Sequence, residues 1–497
     1  MAHRCVIGVD GGTEGLRAGV FDLSGRALAF ASTPYPTAFP RPGWAEQSPM
    51  DWWTALGESV RKAVQAAGVA ATDVIALAVD TTCCSVVALD ARGEPLRPSL
   101  IWMDVRSQAQ AQAVCATGDA ALCLNSGGRG PVSAEWMIPK ALWLKENEAA
   151  TYDAAHIVCE YQDYLNLRLT GRSVASLNNV SVRWHYRARD GGWPAGLCAR
   201  AGIQELQQKW PEQVLAPGEV IGPLAADAAA HLGLPDGTCV VQGGSDASVA
   251  MIGLGVVEAG AMALITGSSH LQLGLSGQTL HGPGIWGSYA DAVIPGLHLV
   301  EGGQTSTGSV VNWFRRLLGE GVPYAQLDHE AAVVAIGSEG LLVQDHFQGN
   351  RTPHTDPLSR GAIAGLTLRH GRGHIFRAIM ESVAFGTRLI LENQRKHGFD
   401  ARELTVSGGV TKSDLWLQIH ADVTGLPLRL TRTGEAACLG SAMLAAVGAG
   451  EFAAIQEAAG AMAEVIRIIE PDMAAHARYA GTYERYCALY PALRTVV

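Results

Sequence analysis

Basic residues are scarce in this chain: 37 Lys and Arg stand against 47 Asp and Glu, a net charge of -10. No basic run relieves that balance, so neither a nucleic-acid backbone nor an anionic membrane surface would be drawn to it. Hydrophobic residues make up 48% of the chain, yet no stretch has the length and apolarity of a membrane span. Met1 to Cys5 carry no apolar segment of the signal-peptide kind, and a cytoplasmic location is expected. The ten cysteines are scattered, and no CxxC pair points to zinc or a redox motif. Adjacent Cys83 and Cys84 read as small buried hydrophobes rather than a disulfide. What remains is a globular chain of 497 residues, longer than one hydrophobic core usually supports, so two or more domains are expected.

The most informative stretch is Val6 to Asp22, VIGVDGGTEGLRAGVFD. An apolar run ends in Asp10, passes Gly11, Gly12 and Thr13, and resumes as Ala18, Val20 and Phe21, which predicts strand, glycine turn, strand. Two glycines let backbone N–H groups approach a polyanion, Thr13 adds a hydroxyl and Arg17 a positive charge. Asp10 at the strand end could hold a hydrated magnesium ion. An ordinary hairpin turn would also use glycines here. The turn is neither GxxxxGK[ST] nor GxGxxG, so a P-loop or Rossmann reading has no support.

Further along, a helix is expected from about Pro49, with Ser48 as N-cap and Trp52, Leu56, Val60 and Val64 at helical spacing. IALAVDTTCCSVVALD repeats the opening texture, an apolar strand ending in Asp80 followed by small polar residues. Trp102, Asp104 and Arg106 then set an aromatic plane beside a carboxylate and a guanidinium, the mixture a sugar site needs, although a buried Trp beside a surface ion pair would look the same. A Gly/Pro loop from Gly127 leads through Glu135 into a helix carrying Trp143 and Leu144. Trp184 and His185 could be polar contacts to a ligand, with a packed aromatic pair as the preferred reading.

A second cluster begins at Cys239. CVVQGGSDASVAMIGLG is a strand, a glycine turn and a helix start that presents Asp246. Ala261 to Ile265 then meets Thr266-Gly267-Ser268-Ser269 and resumes as Leu271 and Leu273, which is the opening architecture again. Two such hairpins suggest an internal duplication, each half contributing one phosphate-gripping turn. The domains expected are 1–257 and 258–497. Near the end, Gly408 and Gly409 precede a helix N-capped by Ser413 and ending near Gly425. A glycine pair there can lie flat against a purine or can simply be a close packing turn.

These motifs resemble the FGGY carbohydrate kinases along nearly the whole chain, from the Asp10 turn to Leu439-Gly440-Ser441-Ala442. Gly361 to Glu381 fits the family's C-terminal signature spacing in full. Met137 to Asn147 keeps Lys140, Trp143 and Glu146 of the N-terminal one, with Ala141 where a larger residue is usual. The resemblance implies an α/β fold of two ribonuclease-H-like, actin-like ATPase domains, with ATP, Mg2+ and sugar in the cleft between them. It makes Asp246 the residue that accepts the proton of the attacking hydroxyl. It places Asp10, Gly12, Thr13, Arg17, Gly267 and Ser268 around the phosphates and magnesium, and Gly308, Asn312, Gly408, Gly409 and Ser413 around the nucleotide.

Glu14 and Gly15 stand where glycerol kinases carry further hydroxyl residues, and the ribulokinase branch has an acidic residue there. Glu135, Glu301 and Cys84 likewise match positions of that branch that line the sugar site. The implied sugar contacts are Cys84, Trp102, Asp104, Glu135, Asp246 and Glu301, and the implied substrate is a ketopentose, ribulose before D-xylulose, with ribitol, erythritol and glycerol as alternatives. The partner expected is a small-molecule sugar or polyol, with no nucleic acid or membrane and with a homodimer as an allowed assembly. The same architecture also serves chaperone-like and filament ATPases and catalytically weak sensors. The polar constellation and the lack of a peptide-binding domain favour a kinase.

Overall fold

The computed structural model describes residues 4–125, 132–319 and 321–495. Its first large sheet runs in the spatial order Val220–Pro223, Cys239–Val241, Val74–Thr81, Cys5–Gly11, Gly15–Asp22, Ala27–Pro34. The three strands from Cys5 to Pro34 are an antiparallel meander, Val74–Thr81 and Cys239–Val241 add in parallel, and Val220–Pro223 closes the edge antiparallel. The second sheet repeats this plan. Ala261–Thr266, His270–Ser276 and His298–Gln304 form the meander, Glu403–Gly408 and Leu428–Thr431 add in parallel, and Val465–Ile469 closes antiparallel. Gly287–Ala290 extends the far edge. The duplication of two glycine-turn hairpins is thus a duplication of two ribonuclease-H-like sheets, and the fold is that of the actin-like ATPases.

Central strands buried on both faces need unbroken apolar runs, and Val6, Ile7 and Val9 are all fully buried. The helix Pro49–Ala67 lays Trp52, Leu56 and Val60 on the first sheet. Ser48 precedes it with extended backbone but makes no capping bond through its side chain, so Pro49 in the first turn marks the start instead. Ser413 does cap, its hydroxyl accepting from Trp416 N at 3.1 Å, and the helix Asp414–Thr424 stops at Gly425. The Gly/Pro loop between Gly127 and Pro131 lies outside the described residues. Among those described, no helix is long and apolar enough to cross a membrane.

Two helices lie between the sheets. Asp246–Gly253 follows the first sheet's strand Cys239–Val241, and Ala436–Gly448, AACLGSAMLAAVG, comes from the second half and is buried from Cys438 to Ala446. A helix apolar on every side is one surrounded by protein. Val6, Ala78, Ile252, Ala263, Leu273 and Met443 belong to one core that both sheets share. At the crossing, backbones touch. A methyl on Gly440 would lie 2.0 Å from Val249 O, and one on Gly8 1.8 Å from Cys438 O.

Gly440→Ala should therefore force the helices apart at a cost of about 1–3 kcal/mol, the range of overpacked cores. The readout is the thermal unfolding midpoint, which should fall by several degrees. An unchanged midpoint would show that the crossing yields freely.

Candidate functional site

The site begins with strand register. Asp10 and Asp80 are partners on neighbouring parallel strands, and Asp10 faces Arg17 across the hairpin. A third strand end brings Asp246. Gly243 passes so near the middle strand that a methyl there would sit 2.1 Å from Val79 O, and Thr81 N donates to Gly244 O at 3.2 Å. The next turn starts the helix with Asp246, whose Oδ1 accepts from Ala247 N at 2.6 Å.

Burial, the largest cause, pushes each of the carboxyls of Asp10, Asp80 and Asp246 above the ordinary carboxylate range, Asp246 to about 8. The charge of Asp10 raises both of the others further. Asp80 is fully enclosed. One of its oxygens accepts the Ser441 hydroxyl at 2.6 Å and the other has no partner. Sequence reasoning noted the strand ending in Asp80 without assigning it a role. The signal was there, since it repeats the setting of Asp10.

The turn after Asp10 is tied on several sides. Gly12 N donates to Gly15 O at 3.0 Å, Thr82 N to Gly11 O at 2.9 Å, and the Tyr35 hydroxyl to Gly12 O. Trp102 Nε1 donates to Thr13 Oγ1 at 2.9 Å, joining the aromatic plane to the phosphate turn. Arg17 departs from expectation. Its guanidinium pairs with Glu435 of the other half, so the charge expected on phosphate is met by a carboxylate next to Asp10.

Across the cleft, a cavity of about 550 Å³ gathers Gly267, Ser268, Gly308, Asn312, Gly409 and Ser413, which the sequence had assigned to phosphates and nucleotide. Ser268 O accepts from Thr307 N at 3.0 Å and Ser309 N at 3.1 Å, which docks the start of the helix Gly308–Leu317 on the second glycine turn. Gly408 does not line the cavity. Its φ of +87° and the 1.9 Å separation of a would-be methyl from Thr266 O give it the job of turning the chain, and Gly409 alone faces the space. Tyr324 and Asp328 also line it, and nothing in their sequence surroundings pointed there.

On the sugar side the expectations divide. Glu301 is buried and clasped by Arg183, with Nη2 to Oε1 at 2.9 Å and Nη1 to Oε2 at 3.2 Å, while the Tyr289 hydroxyl donates to Oε2 at 3.3 Å. Burial alone would raise the Glu301 pKa, but the Arg183 guanidinium outweighs it and holds the carboxyl below its ordinary value. Glu135 is half-buried, and its charge reaches Cys83 and the buried Lys140.

One sugar-site assignment is corrected. Asp104 is sealed inside: Oδ2 accepts from Ala45 N at 2.7 Å and Arg106 Nη2 at 2.7 Å, and Oδ1 from Arg106 N at 3.1 Å and Nε at 2.9 Å. It holds the loop that carries Trp102 and has no oxygen free for a sugar. Cys84 is buried in the apolar core of the first half, the partly exposed Cys83 packs against the same core, and the Arg183 guanidinium acts on both thiols. Lys140, fully buried, donates to Cys84 O at 2.7 Å and Ile101 O at 2.6 Å, so one ammonium ties the cysteine turn to the Trp102 turn. Trp184 and His185 do not pair with each other: Trp184 Nε1 donates to Glu160 Oε1 at 3.1 Å, and His185 packs edge-on to Trp136.

Residues 5–253 match the N-terminal domain of the FGGY family of carbohydrate kinases, and residues 262–449 match its C-terminal domain. The human FGGY carbohydrate kinase domain-containing protein is 32% identical over 98% of this chain and 96% of its own length. A ribulokinase of Geobacillus thermodenitrificans is 32% identical over 99% of this chain and 94% of its own. Among solved structures, a xylulose kinase from Rhodospirillum rubrum superposes with a TM-score of 0.90 at 30% identity, covering 99% of both chains.

Arg183→Met should leave Glu301 buried without its counter-charge, a loss of about 3–5 kcal/mol by the measure of broken buried pairs. The expected outcome is a lower unfolding midpoint and a raised KM for sugar with KM for ATP nearly unchanged. Equal damage to both KM values would place Arg183 outside the sugar pocket.

Proposed function

Because the chain belongs to the FGGY family of carbohydrate kinases and is a carbohydrate kinase, we propose that it transfers the γ-phosphoryl group of ATP to a terminal hydroxyl of a ketopentose, ribulose before xylulose. The observation that carries this reading is the cluster of charged groups around Asp246. Glu301 is fixed by Arg183, and Cys83 and Glu135 are electrostatic neighbours. Partly desolvated carboxylates require hydrogen-bond donors. A five-carbon polyhydroxylated substrate supplies more of them than glycerol does. The ribulokinase among the relatives supports the same reading, and the xylulose kinase structure supports D-xylulose as the second candidate.

Phosphoryl transfer is mainly positioning and charge neutralisation. Asp246 orients the sugar hydroxyl and takes its proton as the oxygen attacks. Gly12 and Thr13 on one side and Gly267 and Ser268 on the other hold the phosphate chain, and the cavity between Gly308, Asn312, Gly409 and Ser413 takes the nucleoside. Approach of the two halves excludes water that would otherwise hydrolyse ATP.

The donor set also fits magnesium. Asp10 and Asp80 offer hard oxygen ligands, and one Asp80 oxygen is buried without a partner. Among the described residues no group of three or more His, Cys, Asp or Glu could cage a metal, as suits an ion that keeps several waters and binds through one or two carboxylates and substrate phosphates. Asp10, with Asp80 behind it, would hold such an ion, which when bound neutralises phosphate charge.

Asp246→Asn should reduce kcat by roughly 10²-fold or more, the scale of lost general-base catalysis, with nucleotide binding retained. A base raised to about 8 releases its proton as pH rises, so wild-type kcat/KM should climb with pH and level off above that value. A flat profile together with near-normal turnover of the variant would remove Asp246 from the role.

Asp10→Ala should weaken magnesium-dependent nucleotide binding and leave sugar affinity close to wild type. Collapse of sugar binding with magnesium dependence intact would move Asp10 to the other pocket.

The substrate test is coupled ADP release with D-ribulose, L-ribulose, D-xylulose, ribitol, erythritol and glycerol. Ribulose should exceed glycerol in kcat/KM by roughly 10² or more, because a site built for hydroxyls rejects an analogue lacking them. Equal use of the two would refute the pocket as drawn, and preference for D-xylulose would retain the kinase and replace the sugar.

A further inference from the structure

Cys83 and Cys84 are adjacent in sequence and pack against the same core, but Cys84 is buried while Cys83 keeps part of its surface exposed. Cys84 has a φ of +64°, unusual for a residue with a side chain. Its sulfur is buried against the core of the first half. Its carbonyl is held by the Lys140 ammonium, which also holds the Trp102 turn through Ile101 O. Cys83 is partly exposed, with Arg183, Glu301 and Glu135 as charged neighbours. The Cys84 thiol points at the Cys83 sulfur across 3.9 Å.

A reactive redox cysteine needs thiolate character, access and a second thiol close enough to resolve it. The hydrogen bond from Cys84, followed by the nearby Arg183 guanidinium, moves Cys83 toward the thiolate against the opposing effect of burial. Burial keeps Cys84 a thiol.

We propose that Cys83 is a modification site for peroxide-class oxidants at the edge of the sugar pocket, with Cys84 as its resolving thiol. The Cys83 thiolate attacks one peroxide oxygen. The S–O bond forms, the O–O bond breaks, and the departing hydroxide takes a proton to leave as water. The Cys84 sulfur, losing its proton, then displaces hydroxide from the Cys83 sulfenic acid, which leaves as a second water while the S–S bond forms. Peroxide is reduced and the two thiols are oxidised. Closing 3.9 Å to a bond turns the Cys83–Cys84 peptide and disturbs the Lys140 anchor. Oxidation thereby reshapes the cysteine turn and the Trp102 turn together. A strained bond of this kind is readily reduced, so the modification is reversible by thiols. This inference rests on the thiol pair at the pocket and holds whichever sugar is the substrate.

The test treats the full-length enzyme with limited hydrogen peroxide and follows ADP release on its best sugar alongside peptide mass. Activity should fall and return with dithiothreitol, the peptide containing Cys83 and Cys84 should be lighter by two hydrogens, and saturating sugar should slow the loss. In Cys83→Ser the fractional loss should be about tenfold slower, as expected when the thiolate is removed. In Cys84→Ala the loss should persist with no disulfide formed: one oxygen added at Cys83 as a sulfenic acid that dithiothreitol still reverses, then resistance to dithiothreitol as a second oxygen is added. Because the Cys83 variant could lower activity by itself, the mass reading decides. Oxidation confined to exposed Cys115, or inactivation of Cys83→Ser at the wild-type rate, overturns the proposal.

Discussion

The structure depends on a close crossing of backbones between its halves. The helix Ala436–Gly448 runs against the strand Cys5–Gly11 and the helix Asp246–Gly253, with Gly8 and Gly440 at positions where a methyl would fall about 2 Å or less from a carbonyl oxygen. That approach makes one core out of residues from both sheets, and it does so beside Asp10 and Asp80. Ser441 on this helix reaches Asp80, and Glu435 just before it reaches Arg17. The joint between the halves and the floor of the site are thus one piece of structure. A shift in how the halves meet is felt first by the groups around Asp10.

Electrostatics then decides which side chains are available. Burial raises Asp10, Asp80 and Asp246, and the charge of Asp10 adds to the shifts of the other two. Such a cluster persists only where cations or hydrogen bonds offset it. The described structure places its cations around the rim: Arg17 against Glu435, Arg183 against Glu301, and Arg106 against Asp104. Each is matched by its own carboxylate, whereas Arg316 and Lys412 line the cavity that holds Gly267 and Ser268. Burial first, and then neighbouring charges that include Asp10, holds the Asp246 carboxyl above its ordinary value. Lys140, fully buried, anchors the carbonyls of Cys84 and Ile101.

Much was determined by the sequence alone, and for a physical reason: the features concerned are local. An apolar run, a carboxylate and paired glycines specify strand, turn and strand within a few residues, and their recurrence at Asp10 and Thr266 announced the duplication. The helix after Ser413 and the presentation of Asp246 at a helix start follow from the same short-range rules. Family resemblance assigned Gly267 and Ser268 to the phosphates and Gly308, Asn312, Gly409 and Ser413 to the nucleotide, and these six residues line one cavity.

Tertiary structure decided what depends on partners far away in the chain. Asp104 sits in a promising local motif, but Ala45 and Arg106 occupy its oxygens. Arg17 turns to Glu435, more than 400 positions away. Cys84 takes a positive φ, and its carbonyl is held by the ammonium of Lys140, 56 positions further on. Asp80 joins Asp10 only through the register of two parallel strands. Local sequence sets which residues can turn, cap or pack. Which carboxylate remains free to act is set by counter-charges and donors that only the folded chain brings within reach.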